Sequence, residues 1–204
     1  MYRLLGLALF IFIISFQAKA ALPLIDISKP QHKIGKSTSF YEDTQQSIDF
    51  SQIQEVPTHL FQPVTQDVAT KLFTNSTYYF QFNVINTHHT QVNRLLVFGT
   101  PWLDDIKIKI ISPDGSNSIY FTGNIFPYSQ RTIANPKPNI DHDFVPGVSK
   151  VYIQVKTRDP FIVPISILKK ETFLQTQIVE FSITALIYGI LFAMIFYHFI
   201  VFLN

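Results

Sequence analysis

The sequence predicts an all-β fold, an antiparallel β-sandwich domain that is exported and followed by one transmembrane helix. Three observations predict it. The middle of the chain carries short segments of period-two alternation divided by turn signals. The last stretch, Phe181–Leu203, contains no Asp, Glu, Lys or Arg. The first twenty residues have the layout of a cleavable export signal.

The N-terminal end runs Met1-Tyr2-Arg3, then an apolar stretch from Leu4 to Phe16, then Gln17-Ala18-Lys19-Ala20. A basic start, an apolar run too short to span and an A-x-A site predict a signal peptide over 1–20, cleaved after Ala20. An uncleaved anchor is the alternative, and the shortness of the run disfavours it. At the other end, twenty-three helical residues at about 1.5 Å each give roughly 34 Å, enough for a hydrocarbon core of about 30 Å. The expected topology is a single pass through the cell inner membrane, with 21–177 in the periplasm.

Composition supports that division. The signal holds Arg3 and Lys19 and no acid, so its removal leaves 14 Lys+Arg against 14 Asp+Glu. A formally neutral mature chain gives no reason to expect nucleic acid as a partner. With no cysteine there are no disulfides and no thiolate metal sites. The exported part must therefore be held by its core, and about 150 residues suffice for one. All twelve prolines fall between Pro23 and Pro164, leaving both apolar ends free of breakers.

Within the exported part, 21–64 reads as weakly patterned strands and loops, with short strands expected near Ser47–Phe50 and His59–Phe61. The sandwich core is expected over 65–170. Thr77–Ile85 sets Tyr78, Phe80, Phe82 and Val84 on one face and Tyr79, Gln81, Asn83 and Ile85 on the other. Arg94–Gly99 is a second strand. Ile106, Ile108 and Ile110 alternate with Lys107 and Lys109 in a third, ended by Ser112-Pro113-Asp114-Gly115. Ser118–Phe121 returns as its hairpin partner. Val151, Ile153 and Val155 mark the next strand, and Phe161–Leu168 follows, with Pro164 predicting an edge or bulge. A connector over 171–180 leads to the membrane helix at 181–203, with helix expected from Gln175.

Three motifs then resemble a known family. Leu95-Leu96-Val97-Phe98-Gly99-Thr100-Pro101-Trp102-Leu103-Asp104-Asp105-Ile106 resembles the strand pair of the second extracellular domain type of bacterial seven-transmembrane receptors with diverse intracellular signalling modules. Thr122-Gly123-Asn124 and Pro127-Tyr128-Ser129-Gln130-Arg131-Thr132-Ile133 are similar to its "G…PfsqRpi" segment, and Tyr188 to His198 to the opening of its first membrane helix. The resemblance implies a jelly-roll domain, similar to carbohydrate-binding modules, that passes a ligand signal into a seven-helix bundle. It also implies a cytoplasmic output such as a diguanylate cyclase or histidine kinase in full-length relatives. This sequence ends at Asn204 after one membrane helix, so the expectation is a receptor fragment or a truncated relative that works with a homodimer mate or a partner receptor chain. It also departs from the family at Gln81, where Arg is usual, and at Tyr79, where Trp is usual.

Tyr79, Gln81 and Asn83 share one strand face, and an aromatic plate beside amides suits sugar recognition: pyranose faces stack on rings and hydroxyls take paired hydrogen bonds. The competing reading is an ordinary wet outer face. Gln in place of Arg predicts a preference for neutral ligands. Trp102, the only tryptophan, follows a proline at a strand end, where a ligand role competes with that of a core plug. Arg131 either pins its loop or contacts ligand hydroxyls. Asp104-Asp105 reads as a turn.

Asp141-His142-Asp143 and His88-His89 are the metal-like clusters, but neither spacing fixes a geometry, and polar loops are expected instead. No metal or other cofactor is expected. The sequon Asn75-Ser76-Thr77 is set aside because the resemblance is bacterial. His198 reads as a neutral imidazole near a helix end. No nucleophile elbow, zinc-protease motif or phosphate loop is present, so the chain is not expected to be an enzyme. The reading is a membrane-anchored sensor of a small ligand, a carbohydrate. Its alternatives are a scaffold that docks another envelope protein and an envelope glycan hydrolase.

Overall fold

Alternation in the sequence sets which side of each strand meets the core, and the computed structural model shows how the strands then pair. It describes residues 24–29 and 33–203. The expected signal peptide lies outside the described residues. The elements are β1 (Leu24–Asp26), β2 (Ser39–Asp43), β3 (Gln62–Pro63), β4 (Ala69–Thr70), β5 (Thr77–Asn86), β6 (Val92–Phe98), β7 (Asp105–Ile111), β8 (Asn117–Thr122), β9 (Asn139–Phe144), β10 (Gly147–Lys156), β11 (Ile162–Val163), β12 (Ile165–Leu168) and α1 (Lys170–Leu203).

The larger sheet runs β3-β2-β5-β10-β7-β8, with β1 parallel to the second half of β5. The smaller sheet runs β12-β6-β9, and β4 pairs with β11 beside them. All the pairings but that of β1 are antiparallel. The two sheets bury one core between them. Tyr78, Phe80, Phe82 and Val84 of β5 enter it with Ile106, Ile108 and Ile110 of β7 and Val151, Ile153 and Val155 of β10. Leu96, Phe98, Ile165 and Ile167 come from the facing sheet. Each large side chain buried this way contributes about 1.5–3 kcal/mol. The all-β sandwich followed by a long apolar helix is thus the observed architecture.

Several local expectations change. The segments near 47–50 and 59–61 are not strands: 47–49 is irregular and leads into the 3-10 helix Phe50–Glu55, and 59–60 belongs to the 3-10 helix Thr58–Leu60. Asp49 accepts a hydrogen bond from the Ser51 amide and caps the first. Asp141-His142-Asp143 lies in strand β9, not a loop. The run 161–168 divides at Pro164, which has no amide hydrogen: β11 pairs with β4 and β12 pairs with β6. The helix begins at Lys170, ahead of the expected Gln175, so the connector is helical.

Strand directions place a set of loops at one end of the sandwich. There β6 runs into β7, β8 into β9 and β10 into β11, through residues 99–104, 123–138 and 157–161. The β4–β5 loop, 71–76, joins them, because β5 begins where β10 ends (Tyr78 opposite Val155). The first turns of α1 lie on the outer side of the smaller sheet. Phe173 packs against Leu95, Val97 and Leu168, and Lys137 pairs with Glu180 at 2.7 Å. The helix therefore starts beside Leu95 and leaves the sandwich at this loop end.

Candidate functional site

The outer side of β5 is not open to water. Tyr79 is 1% exposed and Gln81 3%. Phe50, Ile53 and Phe61 cover Tyr79, with Tyr41, Ile48, Val56 and Tyr152 packed around them. The Tyr79 hydroxyl donates to the Ile48 carbonyl at 3.0 Å. Burial pushes the Tyr79 phenol up to about 12. The Lys109 ammonium ties the cover down by donating to the Ser51 carbonyl at 2.8 Å. The expectation of a solvent-facing aromatic plate is corrected here: residues 48–61 supply apolar side chains at helical spacing, and the sheet face is where they find cover. Gln81 lies beneath the same cover, its Nε2 buried without a hydrogen-bond partner. Asn83, further along, is half-buried beside β1.

Trp102 stands at the loop end, 40% exposed, with its indole N–H donating to the Pro160 carbonyl at 3.1 Å. Arg131 pins its own loop. It donates to the Asn135 and Pro136 carbonyls at 2.7 Å each and to Gly123 at 3.2 Å, and its guanidinium lies 5.0 Å from the Tyr128 ring centre. The five residues singled out in the sequence therefore do not converge on one cleft. In β9, His142 points into the core while Asp141 and Asp143 flank it on the other face, as alternation requires. No group of three such side chains comes together among the described residues.

Instead, a lateral pocket of about 300 Å³ opens between β2–β3 and β4–β11. Its wall is aromatic. Phe161 lies 4.2 Å from Tyr78 and 6.3 Å, nearly parallel, from Phe80, and Phe40 lies 6.2 Å from Tyr78. The rim is polar: Gln62, Gln66, Thr70 and Lys71 are exposed there. The Lys71 ammonium stands 5.8 Å from the Phe40 ring centre, within cation–π reach. Among the described residues, no carboxylate lines it. The pocket was not legible because it unites Phe40 of β2 with Phe161 of a distant loop, and its edges β3, β4 and β11 are strands of two residues each. A second cleft, of about 610 Å³, lies at the loop end among Gln46, Asn75, Asp104, Asp105, Lys156 and Arg158. Within it the Lys156 ammonium donates to Gln46, and the Arg158 backbone amide donates to the Asp104 carboxylate at 3.0 Å. Burial raises the Asp105 carboxyl above its ordinary value.

The pocket connects to the helix through one stretch of chain. Phe161 forms its wall, β12 follows, and Leu168 at the end of β12 packs against Phe173 of α1. Among the described residues, α1 is the one helix long and apolar enough to cross a membrane, with a mean hydropathy of 2.3 over its most apolar window.

A family model described as 7TMR-DISM extracellular 2 matches residues 35–169. No curated protein matches the chain. Among solved structures, a family 35 carbohydrate binding module from Clostridium thermocellum is similar at 10% identity and a TM-score of 0.35, covering 68% of this chain and 97% of that one. A CBM35 from Cellvibrio japonicus Abf62 is similar at 14% identity and a TM-score of 0.25, covering 47% of this chain and 66% of that one. Similarity at this level carries no ligand from those modules to this chain.

Proposed function

The chain belongs to the 7TMR-DISM extracellular 2 family, and from that premise we propose that it is the periplasmic ligand-sensing part of a membrane-bound signalling receptor. In this reading the signal peptide is removed after Ala20, and α1 crosses the inner membrane. The ligand is a small carbohydrate, and it binds in the lateral pocket.

The observation that carries the reading is the pairing of an aromatic wall with an amide and hydroxyl rim. The half-buried Phe40 offers its ring to the C–H face of a sugar above the buried Tyr78, Phe80 and Phe161, while Gln62, Gln66 and Thr70 can exchange hydrogen bonds with its hydroxyls. The volume, about 300 Å³, lies at the small end of the usual range for such sites, about 300–1,000 Å³, and suits a mono- or disaccharide. The absence of a lining carboxylate favours neutral ligands, with Lys71 able to hold one acidic substituent.

Signalling then follows from geometry. A sugar that binds one arrangement of Phe161 better than another shifts the population of that arrangement. The run from Phe161 to Leu168 carries the shift to Phe173 and so to the membrane helix. Titrating neutral mono- and disaccharides onto the full chain in nanodiscs, beside Gln66→Ala and Lys71→Ala, tests the site. Saturable binding weakened about fivefold or more by each substitution is expected, the loss of roughly one hydrogen bond. Binding that ignores both rejects the pocket and leaves sugar sensing standing, whereas no binding by any sugar removes the carbohydrate.

A further inference from the structure

We propose that the loop end of the sandwich rests on the lipid surface, with Leu72, Phe73, Trp102, Ile125 and Tyr128 forming a collar in the membrane interface around the base of α1. The first support is the path of the helix. From Lys170 to Glu180 it advances about 15 Å along the outer side of the smaller sheet. At Gln177 and Glu180 it meets Asn135 and Lys137 of the loop end, at 2.8 and 2.7 Å. The uncharged span begins with the next residue, Phe181. The bilayer surface therefore lies level with these loops, with no spacer to lift the domain away.

The second support is what the loops expose. Leu72 is 84% exposed, Phe73 75%, Ile125 62% and Tyr128 47%, alongside half-exposed Trp102. These residues sit on three different connections that hydrogen bonds hold together. Lys71 and Leu72 bond to Phe161, and the Trp102 indole bonds to Pro160. The Asn124 and Ile125 amides donate to the carbonyls of Leu103 and Asp104, and Arg131 joins Gly123 to Tyr128. Of the turns at the opposite end, 87–91 and 113–116 carry no large apolar side chain, and 145–146 carries Val145 and Pro146. Among the other exposed apolar residues outside α1, Leu24, Leu60 and Val148 are dispersed, and Ile119 and Phe121 lie on the outer side of β8, whose end leads to Ile125.

Lipid is the occupant this chemistry fits. Trp and Tyr favour the headgroup level, where a ring lies in an apolar layer and its polar tip meets water. Arg158 is exposed at the same end and can reach lipid phosphates. Leu72 and Phe73, adjacent at a loop tip, form a small apolar wedge.

The sole tryptophan makes the proposal directly readable. The full chain is reconstituted into nanodiscs of ordinary or brominated phosphatidylcholine held by a tryptophan-free belt protein, and Trp102 fluorescence is followed with acrylamide as the aqueous quencher. The expected result is at least about twofold quenching by brominated lipid, reduced about twofold by the pair Leu72→Ser and Phe73→Ser. Both residues are exposed, so the pair leaves the core intact. Trp102 that is open to acrylamide and blind to brominated lipid overturns the proposal. Shielding from both quenchers also overturns it, assigning the collar to a protein partner, and lipid quenching unchanged by the pair overturns the wedge as its cause. Co-migration of the chain with the nanodisc, which α1 alone secures, separates a failed anchor from a failed collar.

Discussion

The Asn135 side-chain amide donates to the Gln177 side-chain oxygen Oε1 at 2.8 Å, and both side chains are buried. This bond joins the loop behind β9 to the second turn of α1. Asn135 also accepts from the Lys137 amide at 2.9 Å, so one side chain shapes the loop and holds the helix. Asn135→Ala leaves Gln177 without that bond in a buried place, and a loss of about 1–3 kcal/mol is expected. Lys137→Ala removes only the partly exposed ion pair with Glu180 and is expected to cost under about 1 kcal/mol. Thermal unfolding of both variants in nanodiscs checks the order. Equal losses would mean that the ion pair, rather than the amide pair, holds the helix to the sheet.

Gly123 is held by a backbone constraint. Its φ is +125°, and a Cβ there would stand 2.2 Å from the Asp104 carbonyl oxygen. Gly123→Ala is therefore expected to cost at least about 2 kcal/mol from dihedral strain and collision together. Gly115, at φ +84° with open space around it, is the control. Gly115→Asn is expected to cost a few tenths of that, because Asn tolerates this region. Denaturant midpoints of the two variants decide the matter.

His142 predicts a limit on acid stability. Its ring meets Phe144 edge-on at 4.6 Å, and its Nδ1 shares a hydrogen bond with the Tyr120 hydroxyl at 2.8 Å. Burial lowers its pKa below the ordinary value of about 6.5, and neighbouring Asp143 and Asp141 only partly oppose this. The unfolded chain then binds a proton at a higher pH than the folded one. The contribution is complete above about pH 6.5 and declines as pH falls below it. In His142→Gln the unfolding midpoint should lose this part of its pH dependence below about pH 6.5. A wild-type midpoint flat across that range would show that His142 is not held neutral.

Topology can be read chemically because the chain has no cysteine of its own. Ser116 lies in the exposed Pro113–Ser116 turn, far from the loop end. Ser116→Cys is expected to react with a membrane-impermeant maleimide in cells whose outer membrane has been permeabilised. Labelling only after the inner membrane is lysed would put the sandwich in the cytoplasm and remove the proposed sensing role.

How much was legible differs from element to element. The two faces of β5 were readable because each side chain is placed relative to its immediate neighbours, and Tyr78, Phe80, Phe82 and Val84 enter the core as alternation requires. The apolar span at 181–203 was readable for the same reason: uninterrupted composition over a bilayer's thickness is a local property. Strand β9 was not, because its core face carries His142 and its other face two acids, and only Tyr120 and Phe144 make that histidine acceptable inside.

Exposure was decided at longer range. Tyr79 and Gln81 were set on the correct face of β5, but whether that face is wet depends on Phe50, Ile53 and Phe61 folding back over it. The lateral pocket depends on Phe40 and Phe161 meeting at Tyr78, and its edges β3, β4 and β11 are too short to carry a period of their own. Side-chain direction follows from adjacent backbone geometry and is written in neighbouring residues. Cover and cavities follow from which distant segments bury apolar area against each other, and that choice exists only once the two sheets have closed.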